Sequence, residues 1–200
     1  MIVYPLIVLL VVLVYGLVHS LLASLWFKNL IYRWMGLSTD RWYRLVFNLL
    51  AGLTFLPVVA FPALLPDQSL YAIHFPWVLL SSMGQLLAVY TLVIGIRQTG
   101  LWQFLGLRQL VISNKVDPPE FVAGGLYRYV RHPLYTAGLV FIWLTPLMTV
   151  NILALNLGLS VYLIIGAKFE ERKLEREFGE VYLSYRKETP MLIPALWRRH

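Results

Sequence analysis

The chain has no cysteine, which excludes disulfides, thiolate-held zinc, haem thiolates and cysteine nucleophiles. Charge is scarce too. Only 14% of its 200 residues are Asp, Glu, Lys or Arg, against roughly 25% in a soluble domain. Acids are the rarer sign, 10 against 17 bases, leaving a net charge of +7. His19, His74, His132 and His200 fall at no spacing such as H-x-x-E-H or E-x-x-H, so no metal site is expected. The sequence holds no phosphate loop, no Rossmann glycine pattern and no serine nucleophile elbow.

What fills the chain is apolar: 59% is hydrophobic and the mean hydropathy is +0.69. Runs long enough to cross a bilayer, about 20 residues each, recur along it. They predict an all-α integral membrane protein with about five transmembrane helices: Ile2–Trp26, Leu45–Leu65, Ile73–Ile96, Leu134–Val150 and Ile152–Ala167. The last two are short and meet at Thr149-Val150-Asn151, as a tight hairpin or a tilted pair. Pro57 and Pro62 are expected to kink the second helix. The opening Met1-Ile2-Val3-Tyr4-Pro5 has no basic n-region, and its apolar run is too long for a signal-peptide core, so a retained first helix is expected. The whole, 1–200, reads as a single membrane domain, with three N-terminal helices in 1–96.

Charge predicts the orientation. Lys28, Arg33, Arg41 and Arg44 lie in the first loop, and Arg97, Arg108, Lys115, Arg128 and Arg131 in the third. Lys168, Arg172, Lys173, Arg176, Arg186, Lys187, Arg198 and Arg199 lie in the tail. With five helices all 17 bases fall on one side, which the positive-inside rule makes cytoplasmic. The N-terminus is then outside and the C-terminus inside. The bases serve orientation and contact with the lipid bilayer rather than nucleic acid. The tail Lys168–Lys187 reads as a cytoplasmic interfacial C-terminal helix, with Glu171, Leu174, Phe178, Val181, Tyr182 and Tyr185 on one stripe. Gly179 weakens its middle.

Two polar clusters flank the short hairpin. The first is Gly124-Gly125-Leu126-Tyr127-Arg128-Tyr129-Val130-Arg131-His132-Pro133-Leu134-Tyr135. Proline is well tolerated at the first helical position and pushes the residue before it out of the α region. His132 therefore sits beside a helix N-terminus, where backbone N–H groups attract an anion. Tyr127 and Tyr135 can offer ring faces to a heterocycle or a cation. The alternative is an aromatic–basic belt with His132 at the headgroup level. The second cluster is Glu170-Glu171, either a carboxylate facing a ligand's hydroxyls or cation, or exposed pairing with Lys168 and Lys173. Adjacent helical residues point about 100° apart, so one of the two is expected to face a site. His19 interrupts the first helix, as a substrate contact or a helix–helix hydrogen bond.

These residues carry a resemblance. Gly125-Leu126-Tyr127, Arg131-His132-Pro133-Leu134-Tyr135, Glu170-Glu171, Phe178-Gly179-Glu180-Val181-Tyr182, Tyr185 and Pro190…Pro194 resemble, in order, the isoprenylcysteine carboxyl methyltransferase superfamily of integral membrane methyltransferases. Trp143-Leu144-Thr145-Pro146-Leu147-Met148-Thr149, Pro190-Met191-Leu192-Ile193-Pro194, His19-Ser20 and Arg41…Tyr43-Arg44 are similar to its bacterial branch, which contains the methanethiol S-methyltransferases.

The resemblance implies S-adenosylmethionine as cofactor, bound by the half 97–200 on the cytoplasmic side of a bacterial cytoplasmic membrane. By position it implies cofactor contacts from Pro119, Glu120, Phe121, Val122, Tyr127, His132, Pro133, Leu134, Tyr135 and Glu170. It names no catalytic base; His19 and Arg131 are the candidates. It also implies a methyl acceptor that is a small thiol or another lipophilic molecule. Carboxyl methyltransferases of the family place an arginine one turn before the acidic pair, where this chain has Gly166, with Lys168 as the available substitute. Other readings are an isoprenylcysteine carboxyl or phospholipid methyltransferase, a membrane reductase using a nicotinamide cofactor (sterol reductases resemble the same region), and a non-catalytic assembly subunit.

Overall fold

A computed structural model of the chain describes residues 2–36, 39–98, 100, 107 and 121–194, with 39–41 by backbone alone. Among these, four helices are long and apolar enough to cross a membrane, bounded Val3–Ala23, Trp42–Leu64, Trp77–Gln98 and Val150–Phe178. The protein is an all-α integral membrane protein, with one two-stranded ladder as its only described sheet. By internal contacts the chain divides into two compact units: 1–71, 100–118 and 148–159, and 72–99, 119–147 and 160–200.

In the first unit, α1 (Val3–Ala23) shows why an apolar helix can pack on one face and meet lipid on the other. Val8, Val12 and Gly16, spaced four apart, are buried, while Leu6, Leu10, Leu13 and Leu17 are exposed. That spacing keeps each set on its own face. The run expected to reach Trp26 stops at Ala23, because Ser24 turns extended and its hydroxyl accepts from Phe27 N (3.2 Å), an ordinary serine N-cap. A second helix, α2 (Leu25–Met35), follows where the sequence predicted a loop. The next, α3 (Thr39–Leu64), holds Pro57 and Pro62 within it and starts before the expected Leu45. The Tyr43 hydroxyl of α3 donates to Leu22 O of α1 at 2.6 Å. Beyond α3 comes β1 (Ser69–Ala72), paired with β2 (Leu147–Thr149). Asp67 then accepts from Asn151 N (3.0 Å) at the start of α6 (Val150–Phe178), while Asn151 Nδ2 donates to Pro66 O.

The second unit is built on α4 (Trp77–Gln98) and α5 (Pro133–Trp143), lying antiparallel. Ile73 N donates to Pro146 O (2.8 Å), Ser81 Oγ to Leu144 O, and Gln85 Nε2 to Phe141 O (3.0 Å). At the far end Gly95 faces Leu134. α5 has 11 residues against the 22 of α4, about 16 Å against about 33 Å. The register shows that α5 with the non-helical stretch after it runs the full length of α4. The fourth apolar segment is therefore a short helix followed by the non-helical 144–146, rather than one helix to Val150. Ile73, expected to open the third helix, lies just after β1. The fifth segment and the tail are one helix, α6, which ends where Gly179 takes a φ of +55°. That conformation is open to glycine, and α7 (Glu180–Glu188) starts afresh. The tail helix foreseen over Lys168–Lys187 is thus broken at the residue named as its weak point.

Candidate functional site

The local sequence fixes how the site begins. Gly125 has a φ of +60°, a left-handed conformation that favours glycine, and it lies against the Gln98 carboxamide. Gln98 Oε1 accepts from Leu126 N (3.3 Å), and a single 3-10 turn, Gly125–Arg128, carries Tyr127. Pro133 takes the first helical position of α5, and His132 is its N-cap at φ −125°, ψ 67°, as proline's demand on its predecessor requires. Arg131 and His132 pair by backbone with the segment after α7: their N–H groups donate to Pro190 O (2.8 Å) and Met191 O (3.1 Å).

His132 lies between the two glutamates. Its Nε2 is 3.2 Å from Glu171 Oε1, and its Nδ1 is 3.8 Å from Glu170 Oε2. The same Glu171 oxygen accepts from Arg131 Nε at 2.6 Å. Arg131 Nη1 donates to the carbonyls of Arg186 (3.1 Å) and Thr189. His132 and Glu171 are 5% and 6% exposed, so this is a buried charge cluster; a buried carboxylate persists only when paired and hydrogen-bonded. Glu170, one position earlier on α6, has a side chain 47% exposed and accepts from the Tyr135 hydroxyl at 2.8 Å. The Tyr135 ring stacks on His132, centroids 5.3 Å apart and 12° between planes. The 100° step along α6 thus sets one carboxylate in a buried network and leaves its neighbour open, with His132 reaching both.

The remaining expected contacts divide. Phe121 packs against Phe178, Tyr182 and Tyr185, at 5.2, 6.0 and 5.2 Å between centroids. Val122 is exposed and Pro133 is buried, with Leu134 half-buried on α5. Tyr127 is half-buried, its carbonyl accepting from the Tyr185 hydroxyl at 2.6 Å. Burial raises the Tyr127 phenol above its ordinary pKa, with Glu170 adding to the effect, and pushes Tyr182 and Tyr185 up to about 12. All three are neutral near pH 7, fit to donate but not to act as bases. Pro119 and Glu120 lie outside the described residues. His19 belongs to the first unit, where its Nδ1 is 3.4 Å from the Tyr15 hydroxyl and its ring meets Phe47 at 4.9 Å.

Sequence reasoning missed the Arg131–Glu171 pair, and with it Thr136, whose Oγ1 donates to Leu192 O (2.7 Å), and the buried Thr189. Arg131 and Glu171 stand forty residues apart, so no helical spacing could have joined them. Of the stripe Glu171, Leu174, Phe178, Val181, Tyr182 and Tyr185, Glu171 and Tyr182 are buried and Leu174, Phe178 and Tyr185 half-buried, while Val181 is exposed.

The polar cluster lies at the start of a membrane helix with an acid pair on the next one, and comparison with known proteins gives the family. The profile described as phospholipid methyltransferase matches residues 77–181, and the chain belongs to that family. It is similar to the methanethiol S-methyltransferase of Pseudomonas deceptionensis, 45% identical over 100 residues that cover 48% of this chain and 38% of that protein. The methanethiol S-methyltransferase of Crocosphaera subtropica is 35% identical over 101 residues, covering 49% of this chain and 40% of that protein. The human protein-S-isoprenylcysteine O-methyltransferase is 32% identical over 93 residues, covering 44% and 32%. The match therefore spans no more than about two fifths of these relatives' own lengths. No solved structure matches the chain.

Proposed function

We propose that this protein is an S-adenosylmethionine-dependent membrane methyltransferase that passes a methyl group to a small thiol. The observation that carries the reading is Glu170, an open carboxylate held by the Tyr135 hydroxyl beside the α5 N-terminus. A cofactor bearing ribose hydroxyls, an ammonium group and a carboxylate suits that donor set. Glu170 accepts from hydroxyls or ammonium, the first N–H groups of α5 favour the carboxylate, and Tyr127 and Tyr135 give ring faces. The His132 nitrogens point at Glu170 and Glu171, so His132 contributes by holding Glu170 rather than by meeting the anionic end itself. When bound, the cofactor supplies an electrophilic methyl on a sulfonium. The chain's part is to orient the partners and exclude water, and a thiolate acceptor needs no base from the protein. The thiol is favoured as acceptor by the relatives named above, and by Gly166 standing where carboxyl methyltransferases of the resembling family carry arginine.

The site faces the cytoplasm in this proposal, because the bases cluster at its end of the helices. A single cysteine near Arg186 that reacts with an impermeant reagent from outside intact cells overturns that orientation. The function is tested by titrating purified protein with S-adenosylmethionine and, separately, with reduced nicotinamide cofactors. Methanethiol, a prenylcysteine and a phosphatidylethanolamine are then offered as acceptors, with product mass as readout. Binding of the nicotinamide alone, or of neither, sinks the proposal, and methylation of the lipid but not the thiol replaces the acceptor.

A further inference from the structure

We propose that Arg131 is a positioning residue rather than a catalytic one: it clasps the segment Thr189–Leu192 along the start of α5 and so sets His132 and Glu171 behind the open Glu170 carboxylate. The attachments come from separate groups. Two backbone N–H groups, of Arg131 and His132, reach Pro190 O and Met191 O, and Thr136 Oγ1 reaches Leu192 O. Arg131 Nη1 holds the Thr189 carbonyl at the head of this strap and the Arg186 carbonyl in α7 before it. Its Nε meanwhile holds Glu171 on α6, so one guanidinium joins the start of α5, α6 and the end of α7.

Arginine suits the task because its donors diverge in a rigid plane and it stays charged, whereas lysine offers a compact point charge. The Arg131 side chain is 10% exposed. With Nε on a carboxylate and Nη1 on two carbonyls, three of its five donors are committed to the protein, and a guanidinium does not serve as a proton acceptor. Two ladder bonds and one hydroxyl bond make a weak fastening alone, since hydrogen bonds net little against water. The charged bonds to Arg131 are the stronger ones.

The absence of cysteine makes the strap measurable. Met191→Cys puts one thiol on the strap, and Ile193→Cys, at a site 81% exposed, puts a control just beyond it. Reaction with a water-soluble maleimide in detergent, without cofactor and well below each variant's melting temperature, reports how often the strap lifts. Arg131→Gln is expected to speed Met191→Cys labelling on the order of tenfold through easier local opening, with Arg131→Lys between it and the parent. The Ile193→Cys rate stays unchanged. An unchanged Met191→Cys rate in folded Arg131→Gln protein overturns the clasp. Should Arg131→Gln not fold, Thr136→Val removes the bond to Leu192 and leaves the charges in place: faster labelling supports the clasp, and an unchanged rate overturns it.

The positioning half rests on the cofactor reading. Arg131→Gln is expected to raise the adenosylmethionine Kd on the order of tenfold below its melting temperature, an effect that lost stability alone does not produce. Unchanged affinity beside faster labelling overturns the positioning role. If the parent binds no adenosylmethionine, the function proposal fails, and the labelling result still decides the clasp.

Discussion

The two units bury different kinds of polar group. In the first, the buried polar side chains among the described residues are Asn151 and Asn156, both neutral amides. In the second they are Ser81, His132, Glu171 and Thr189, two of them titratable. A neutral amide at a helix start can be satisfied in part by nearby backbone: Asn151 Nδ2 donates to Pro66 O, while its buried Oδ1 finds no partner among the described residues. A buried carboxylate has no such inexpensive solution and needs a charged partner. Ionisable groups buried in membrane proteins cluster where there is function. Polar burial among the described residues is thus neutral in the first unit, at the start of α6 and two turns into it, and charged in the second, at the proposed site.

The severest way to break this comparison is Glu171→Gln. It leaves the Arg131 guanidinium buried opposite a neutral amide and takes the charge from the oxygen shared with His132. Losing one partner of a buried ion pair costs about 3–5 kcal/mol. Denaturant unfolding in detergent should show that loss; a value within about 0.5 kcal/mol, the range of an ordinary surface change, would make the buried network of the second unit no more demanding than the amides of the first.

Glu170→Gln should separate the neighbours. Its side chain is 47% exposed, so stability should hold while adenosylmethionine binding weakens by about 1.5–3 kcal/mol, the scale of a charged hydrogen bond. Equal affinity in this variant reverses the division between the two glutamates. Tyr135→Phe, which deletes the hydroxyl that orients Glu170, should cost about 1 kcal/mol of binding, read by the same titration. No loss of affinity would mean that Glu170 needs no orienting.

How much of this was legible depended on whether the signal was local. The apolar runs gave the spans, Pro133 gave the start of α5, and Gly179 gave the break after α6, because each acts through its own backbone. Ser24 was equally local and was overlooked: an apolar run hid a serine cap, and α2 with it. The 11-residue helix α5 was drawn too long because Leu144, Leu147 and Met148 prolong its apolar run, although Pro146 was a local sign of its end. Its partner is α4, through Ser81 and Gln85, and that is tertiary information. In the site, Glu170 and His132 stood out by type and place. The joining of Arg131 to Glu171 and to the strap depends on how three elements pack, and periodicity carries no trace of it.

The smallest expected effect lies in the first unit. Asp67 Oδ1 accepts from Asn151 N (3.0 Å) and Gln68 N (2.8 Å), so an exposed acid from the turn after α3 caps the start of α6. Removing a helix cap costs about 0.5–2 kcal/mol, and Asp67→Ala should fall there in a denaturant melt. Asp67→Asn keeps an acceptor and removes the charge, so it should forfeit only the attraction of an anion to the helix N-terminus, about 0.3–1 kcal/mol. High salt should shrink that part, because Asp67 is exposed and salt screens exposed charges. Glu171→Gln should keep its full cost in salt, since its charges are buried. If both losses shrink together as salt rises, Glu171 behaves as a surface charge and the contrast between the units fails. If only the Asp67 loss shrinks, the first unit uses charge to cap the start of a helix and the second uses it in a buried pair behind the proposed site.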